Sequence, residues 1–152
     1  MNPQFPIYVV SKGRWDSRLT VKALERMRVL FHLIVERDEY EEYAKVVNPD
    51  KILITPDKYN EEYDVFWKDD DPRIGPGAAR NFAWEHSMER GFSHHWVMDD
   101  NLHAFHRLNH NYKGQVSSGT IFKIMEDFVL RYDNVAISGP NYYSFVKASD
   151  GV

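Results

Sequence analysis

The sequence predicts an α/β fold, a mainly parallel sheet covered by helices on both faces. Three observations carry that expectation. Strand-like and helix-like segments alternate along most of the 152 residues, the order that builds parallel strand–helix–strand units. The second strand-like segment, Val29 to Val35, is apolar at every position but His32, as expected of a strand buried on both faces. The polar residues best suited to bind something, Ser11 to Arg14, Glu36 to Asp38 and Asp99 to Asn101, each follow a strand, and open α/β sheets bind ligands beyond the carboxyl ends of their strands.

Taken in order, Pro6 to Val10 is a short β-rich apolar run and the first strand. Ser11-Lys12-Gly13-Arg14 is a loop, and Trp15 to about Arg28 has helical spacing through Leu19, Ala23, Leu24 and Met27. After the second strand, Asp38 is placed to cap a helix from Glu39 to Val47, which Asn48-Pro49-Asp50 ends. Lys51 to Thr55 is a third strand. Residues 56–74 read as a long polar connection, of a length that is usually functional in compact domains. A helix from about Pro76 to Arg90 leads to a fourth strand, His94 to Met98. Ser117 or Ser118 can cap a helix to Tyr132, with Ile121, Ile124, Met125, Phe128 and Val129 on its core face. Val135 to Ser138 is expected to be a fifth strand.

The length fits one domain with a proper core. A hydrophobic content of 43% and an aromatic content of 14% fit a folded, soluble chain. No run approaches a membrane span, and the amino terminus lacks a signal peptide's layout, which points to the cytoplasm. The absence of cysteine excludes disulfides, zinc–cysteine sites and thiol nucleophiles. The net charge of −4 is unevenly spread: residues 1–35 balance at +4, residues 36–71 at −8 and the remainder at zero. This is not the broad basic surface of a protein that grips DNA by charge alone.

Two segments suggest chemistry. Trp96-Val97-Met98 runs into Asp99-Asp100-Asn101, and carboxylates at a strand end can hold a divalent cation against a phosphate. Successive strand side chains point to opposite faces, so the two acids either share an ion after a backbone turn or have separate tasks. The plain alternative is a strand ended by turn-forming residues. Gly75 to Asn81 opens a helix whose amino terminus favours an anion, with Arg80 able to offer paired donors to a diphosphate. It is not a phosphate-binding loop of the Gly-Lys-Ser/Thr type. Six of the seven histidines fall between His86 and His110, but their placement favours packing and polar roles over a metal site. Tyr59, Tyr63 and Trp67 are candidates to stack on a base or sugar, whereas Trp84 and Trp96 suit the core. Ser11 lacks the context of a serine nucleophile.

Tyr8-Val9-Val10-Ser11-Lys12-Gly13-Arg14, an acid closing the second strand, the Gly75 to Asn81 helix start and Trp96-Val97-Met98-Asp99-Asp100-Asn101 recur in that order in a known family. The chain resembles the nucleotide-sugar half of GT-A glycosyltransferases, with Asp-Asp-Asn in place of Asp-x-Asp. It is most similar to the phage TET-associated glycosyltransferases, thought to glycosylate 5-hydroxymethylcytosine in DNA. The resemblance implies a GT-A-like, Rossmann-type sheet over 1–152 that binds a UDP-sugar. It places Ser11 and Arg14 in the nucleotide pocket, Glu36 on the base or ribose, and Arg80 on the nucleotide or its diphosphate. Asp99 would meet the ribose or donor sugar, and Asp100 would ligate Mn²⁺ or Mg²⁺. The acceptor would be a hydroxymethylated pyrimidine of DNA.

The chain departs from that pattern in lacking a later Asp or Glu motif fit to be the catalytic base, and the expected acceptor half is not evident. It is then a fragment, or a protein that works with another chain. Three other readings stay open: a nucleotidyltransferase, which would place its glycines directly after the first strand, a binding domain without catalysis, and a metal-dependent hydrolase.

Overall fold

Four short strands, β1 (Ile7–Val10), β2 (His32–Val35), β3 (Ile52–Ile54) and β4 (Trp96–Asp99), form one all-parallel sheet in the order β3-β2-β1-β4. This computed structural model describes residues 2–62 and 75–146. β1 lies in the middle with Tyr8 opposite both His32 and Val97, which explains why it is apolar at every position: neither its edges nor its faces meet water.

The two-residue period of β1 divides the core. Ile7 and Val9 join Leu33, Val35 and Met98 on one face, beneath α1 (Leu19–Arg26), α2 (Tyr40–Ala44) and α5 (Thr120–Val129). Tyr8 and Val10 join Ile34 on the other, beneath Ala79, Phe82 and Ala83 of α4 (Gly77–Glu89). Helices therefore cover both faces, as the alternating sequence predicts. Helix α3 (Asp57–Glu62) occupies the start of the connection expected to be a loop, and the rest of that connection, with Tyr63 and Trp67, lies outside the described residues.

α1 and α4 end alike. The N–H of Arg28 bonds to the carbonyl of Glu25 and that of Val29 to Leu24, as Gly91 does to Met88 and Phe92 to Ser87. In each, the residue after the cap takes a positive φ, +55° at Arg28 and +80° at Gly91, which lets the last carbonyls find partners.

Five expectations need correction. Asp38 caps nothing: it lies inside a 3₁₀ turn, Arg37–Glu39, and α2 begins at Tyr40 without a side-chain cap. Val135 to Ser138 is not a strand; β-rich composition reflects a fit to a pleated, half-buried surface, and no described strand pairs with it. A hairpin not expected from the sequence, β5 (His106–Asn109) with β6 (Tyr112–Gln115), stands apart from the main sheet. α5 is rotated from the expected face: Phe122 and Glu126 are buried with Ile121 and Met125 beside them, whereas Ile124 and Phe128 are exposed. Trp84, expected in the core, is exposed on α4.

The rotation of α5 has a polar cause. Glu126 is buried, and its carboxylate accepts from the backbone N–H of Gln4 (2.7 Å) and Phe5 (3.0 Å) and from Trp96 Nε1 (2.9 Å). A buried charge must be paired or hydrogen-bonded. Three donors at the start of β1 and β4 supply that, and they turn Phe122 onto Trp96, their rings 5.5 Å apart.

Candidate donor-binding cleft

A cleft of about 460 Å³ opens at the carboxyl ends of β1 and β4, lined among others by Ser11, Lys12, Arg14, Glu36, Arg80, Asp99, Asp100 and Asn101. All six residues singled out as donor or metal contacts therefore share one cavity. The strand period that sorts the core also sorts its acids. Asp99 falls on the α4 face, where Arg80 Nη2 reaches its Oδ1 at 2.6 Å. Asp100 falls on the α1/α2 face, where Arg14 Nη1 donates to Oδ1 at 2.8 Å and Ser11 Oγ to Oδ2 at 2.7 Å. Asp99 is half exposed to the cleft and Asp100 is only 7% exposed. Adjacent carboxylates thus have different surroundings and different cationic partners, and each guanidinium lies within reach of a ligand in the cleft.

Behind Asp100 stands Tyr43 of α2, fully buried. Its hydroxyl lies 2.6 Å from Ser11 Oγ and accepts from the Arg14 N–H at 3.1 Å. Ser11 has one hydroxyl proton and gives it to Asp100, so Tyr43 must donate to Ser11. The order Arg14 N–H to Tyr43 to Ser11 to Asp100 is therefore fixed in direction. Burial pushes the Tyr43 phenol above its ordinary pKa, opposed by the hydrogen bond it accepts from the Arg14 N–H, and it keeps its proton at neutral pH.

Thr20 in the first turn of α1 holds the turn itself. Its Oγ1 donates to the Asp99 carbonyl at 2.5 Å and accepts from the Leu102 N–H at 2.9 Å, and its own N–H donates to the Asp100 carbonyl at 3.2 Å. Tyr43 and Thr20 escape a reading of sequence because nothing local marks a buried Tyr or Thr as a support. Their partners lie 32 and about 80 residues away.

The loop after β1 turns at Gly13, whose φ of +67° suits glycine, and its N–H donates to Glu39 Oε1 at 2.7 Å. Burial is the main influence raising the pKa of Glu39, opposed by that Gly13 hydrogen bond. Lys12, beside it, lines the cleft, and its charge also lowers the pKa of Glu39. Glu36 accepts from Asn60 Nδ2 at 2.9 Å. Tyr59, a stacking candidate from sequence, is buried and donates to Glu85 instead.

The site fits a divalent ion through its donor set. Mg²⁺ and Mn²⁺ need one or two protein carboxylates when phosphate oxygens complete the shell, and Asp100 alone meets that minimum at the cleft. No group of three or more His, Asp or Glu residues able to hold a metal occurs among the described residues, so no all-protein cage is present there. His86 and His32 pack instead around Tyr8, which is bonded to His86 Nδ1 at 2.8 Å and stacks on His32. No helix among the described residues is long and apolar enough to cross a membrane.

A parallel sheet in the order β3-β2-β1-β4, helices on both faces and a cleft at the strand ends define a GT-A-like, Rossmann-type α/β domain. The chain belongs to the TET-Associated Glycosyltransferase family, whose family model matches residues 5–152. No curated protein and no solved structure gives a match.

Proposed function

We propose that the cleft binds a UDP-sugar with Mn²⁺ or Mg²⁺ and that the protein transfers the sugar to a hydroxymethylated pyrimidine of DNA. The observation that carries this reading is the division of Asp99 and Asp100 between Arg80 and Arg14 at the ends of β4 and β1. Arg80 and Lys12 would meet the diphosphate, and Glu36 would accept from the base or ribose. Asp99 would accept from a sugar or ribose hydroxyl, and Asp100 would ligate the ion. The ion, when bound, would supply positive charge to the departing diphosphate. Arg14 holds that place against Asp100 otherwise, so metal and guanidinium compete for one carboxylate. Family membership supports sugar transfer as the reaction class.

Calorimetric titration with UDP, UDP-glucose, UDP-GlcNAc, GDP and ATP, each with and without Mn²⁺, tests the reading. UDP should bind more tightly with Mn²⁺, and Asp100→Ala should remove that gain, costing at least about tenfold, or 1.4 kcal/mol. Without metal, Asp100→Ala should bind UDP no worse than the parent, because it frees Arg14. Binding of ATP but not UDP would point instead to nucleotidyl transfer. Binding of no nucleotide would sink the reading.

A further inference from the structure

The β5–β6 hairpin carries the second inference, which rests on the reading that the acceptor is DNA. From Asn101 to Met125 the sequence contains no Asp or Glu, but it contains Arg107, Lys113, Lys123, His103, His106 and His110. In a chain of net charge −4, an acid-free run of 25 residues is a local reversal of the field. It begins at the cleft: five peptide links separate Asn101 from His106, a reach of roughly 18 Å at most. Arg26 Nη2 on α1 fixes the approach by donating to the His103 carbonyl at 2.7 Å.

The register of the hairpin sorts its side chains. His106, Leu108, Lys113 and Gln115 share one face, and there Tyr143 is engaged, its ring 4.7 Å from His106 and 4.3 Å from Lys113 Nζ. Arg107, Asn109, Tyr112 and Gly114 share the other. Arg107 lies opposite Gly114 and has no hydrogen bond or ion pair among the described residues. Tyr112 is 73% exposed. Its ring leans over Gly114, where an added Cβ would come within 3.0 Å of Tyr112 Cε1. The missing side chain of Gly114 thus lets an exposed aromatic lean along β6 towards the strand position of Arg107.

We propose that this face of the hairpin docks the acceptor strand, with Tyr112 stacking on an unpaired nucleobase and Arg107 on the neighbouring phosphate. An exposed aromatic ring leaning towards the strand position of an arginine, on a hairpin whose own sequence carries no acid, matches single-stranded nucleic acid, which offers both bases and phosphates. An anionic membrane or an acidic protein offers the charge without the stack.

Fluorescence anisotropy of the full chain with a labelled single-stranded DNA oligonucleotide, over a series of salt concentrations, tests this, with heparin as a polyanion that has no bases. Tyr112→Ala should weaken the oligonucleotide about tenfold and leave heparin unchanged, whereas Tyr112→Phe should keep the parent's affinity. Gly114→Ala, which displaces the ring without altering charge, should act in the direction of Tyr112→Ala. Arg107→Ala should lower the salt slope by about one. All four should bind UDP as the parent does, which checks that the cleft is intact. Equal oligonucleotide affinity in the parent, Tyr112→Ala and Arg107→Ala would overturn the proposal, as would equal weakening of heparin by Tyr112→Ala. A parent that transfers sugar to a small hydroxymethyl acceptor yet binds no strand would overturn it and spare the donor-site reading. Strand binding of the expected pattern in a chain that binds no UDP would do the reverse.

Discussion

The chain up to Asp100 and the chain after it solve the same physical problem differently. In the first region β1 and β2 are buried at every position but His32, and the two acids of the cleft are paired with Arg14 from the loop after β1 and Arg80 from α4. In the second, Phe122 is the one fully buried apolar side chain among the described residues, while Tyr112, Ile124, Phe128, Ile137 and Phe145 stand exposed. A buried parallel sheet fixes positions to within a side chain's reach, which a phosphate-binding site requires. The second region is fixed at few points. The strongest of these is Glu126, which ties α5 to Gln4 and Phe5, just before β1, and to Trp96.

That tie is where the comparison breaks most easily. Glu126→Ala leaves three donors without their acceptor and should cost about 2–4 kcal/mol, a loss of roughly 4–16 °C in Tm for a domain of this size. Glu126→Gln keeps one acceptor oxygen and should cost about 1 kcal/mol. Urea unfolding of the two variants beside the parent checks both. Equal stability of Glu126→Ala and the parent would mean that the second region contributes nothing to the sheet.

A smaller effect separates the regions by pH. Burial, above all, holds His32, His86 and His95 below their ordinary pKa, with Arg90 adding to it at His32 and His86 and His94 at His95. All three belong to the first region, on the α4 face around Tyr8. The unfolded chain therefore takes up protons before the folded one. Their contribution to stability is complete above about pH 6.5 and is lost as pH falls from there towards the folded-state values. Scanning calorimetry should give a Tm a few degrees lower at about pH 5.5 than at about pH 7.5, and His32→Gln should flatten that slope. A Tm independent of pH over this window would exclude the cluster as a source of stability.

How much was legible in the sequence follows the same division. Alternation of strand and helix marked the parallel sheet, and the strand period offered separate tasks for Asp99 and Asp100 as one of two alternatives, the one that their separate partners match. The loops after β1, β2 and β4 brought Ser11, Arg14, Glu36 and the two acids together, with Arg80 from α4. Supports acting across the fold were not legible: Tyr43 and Thr20 look like ordinary core residues, and Glu126 looks like a solvated helix charge. α5 shows why periodicity can mislead. Its apolar residues Ile121, Phe122, Ile124, Met125, Phe128 and Val129 allow two overlapping faces, and a buried carboxylate rather than hydrophobicity chooses between them. The hairpin was missed because its two faces are both largely polar, so no alternation announced it.

The smallest expected effect sharpens the contrast within α5. Phe122 is fully buried against Trp96 and Phe105, whereas Phe128, less than two turns on, is 55% exposed beside Ile124. Burial decides what an aromatic side chain contributes. Phe128 touches chiefly Tyr132 and the Arg131 guanidinium, with ring centres 5.6 Å apart in the first case and 5.9 Å to the guanidinium carbon in the second. Both contacts are local to one helix end. Phe128→Ala should therefore change stability by no more than about 0.5 kcal/mol, measured by urea unfolding at low protein concentration. A loss of more than about 1 kcal/mol would show that this face is covered in solution. The same measurement repeated across protein concentrations would then tell a second copy, whose contribution grows with concentration, from a covering segment of the chain itself, whose contribution does not.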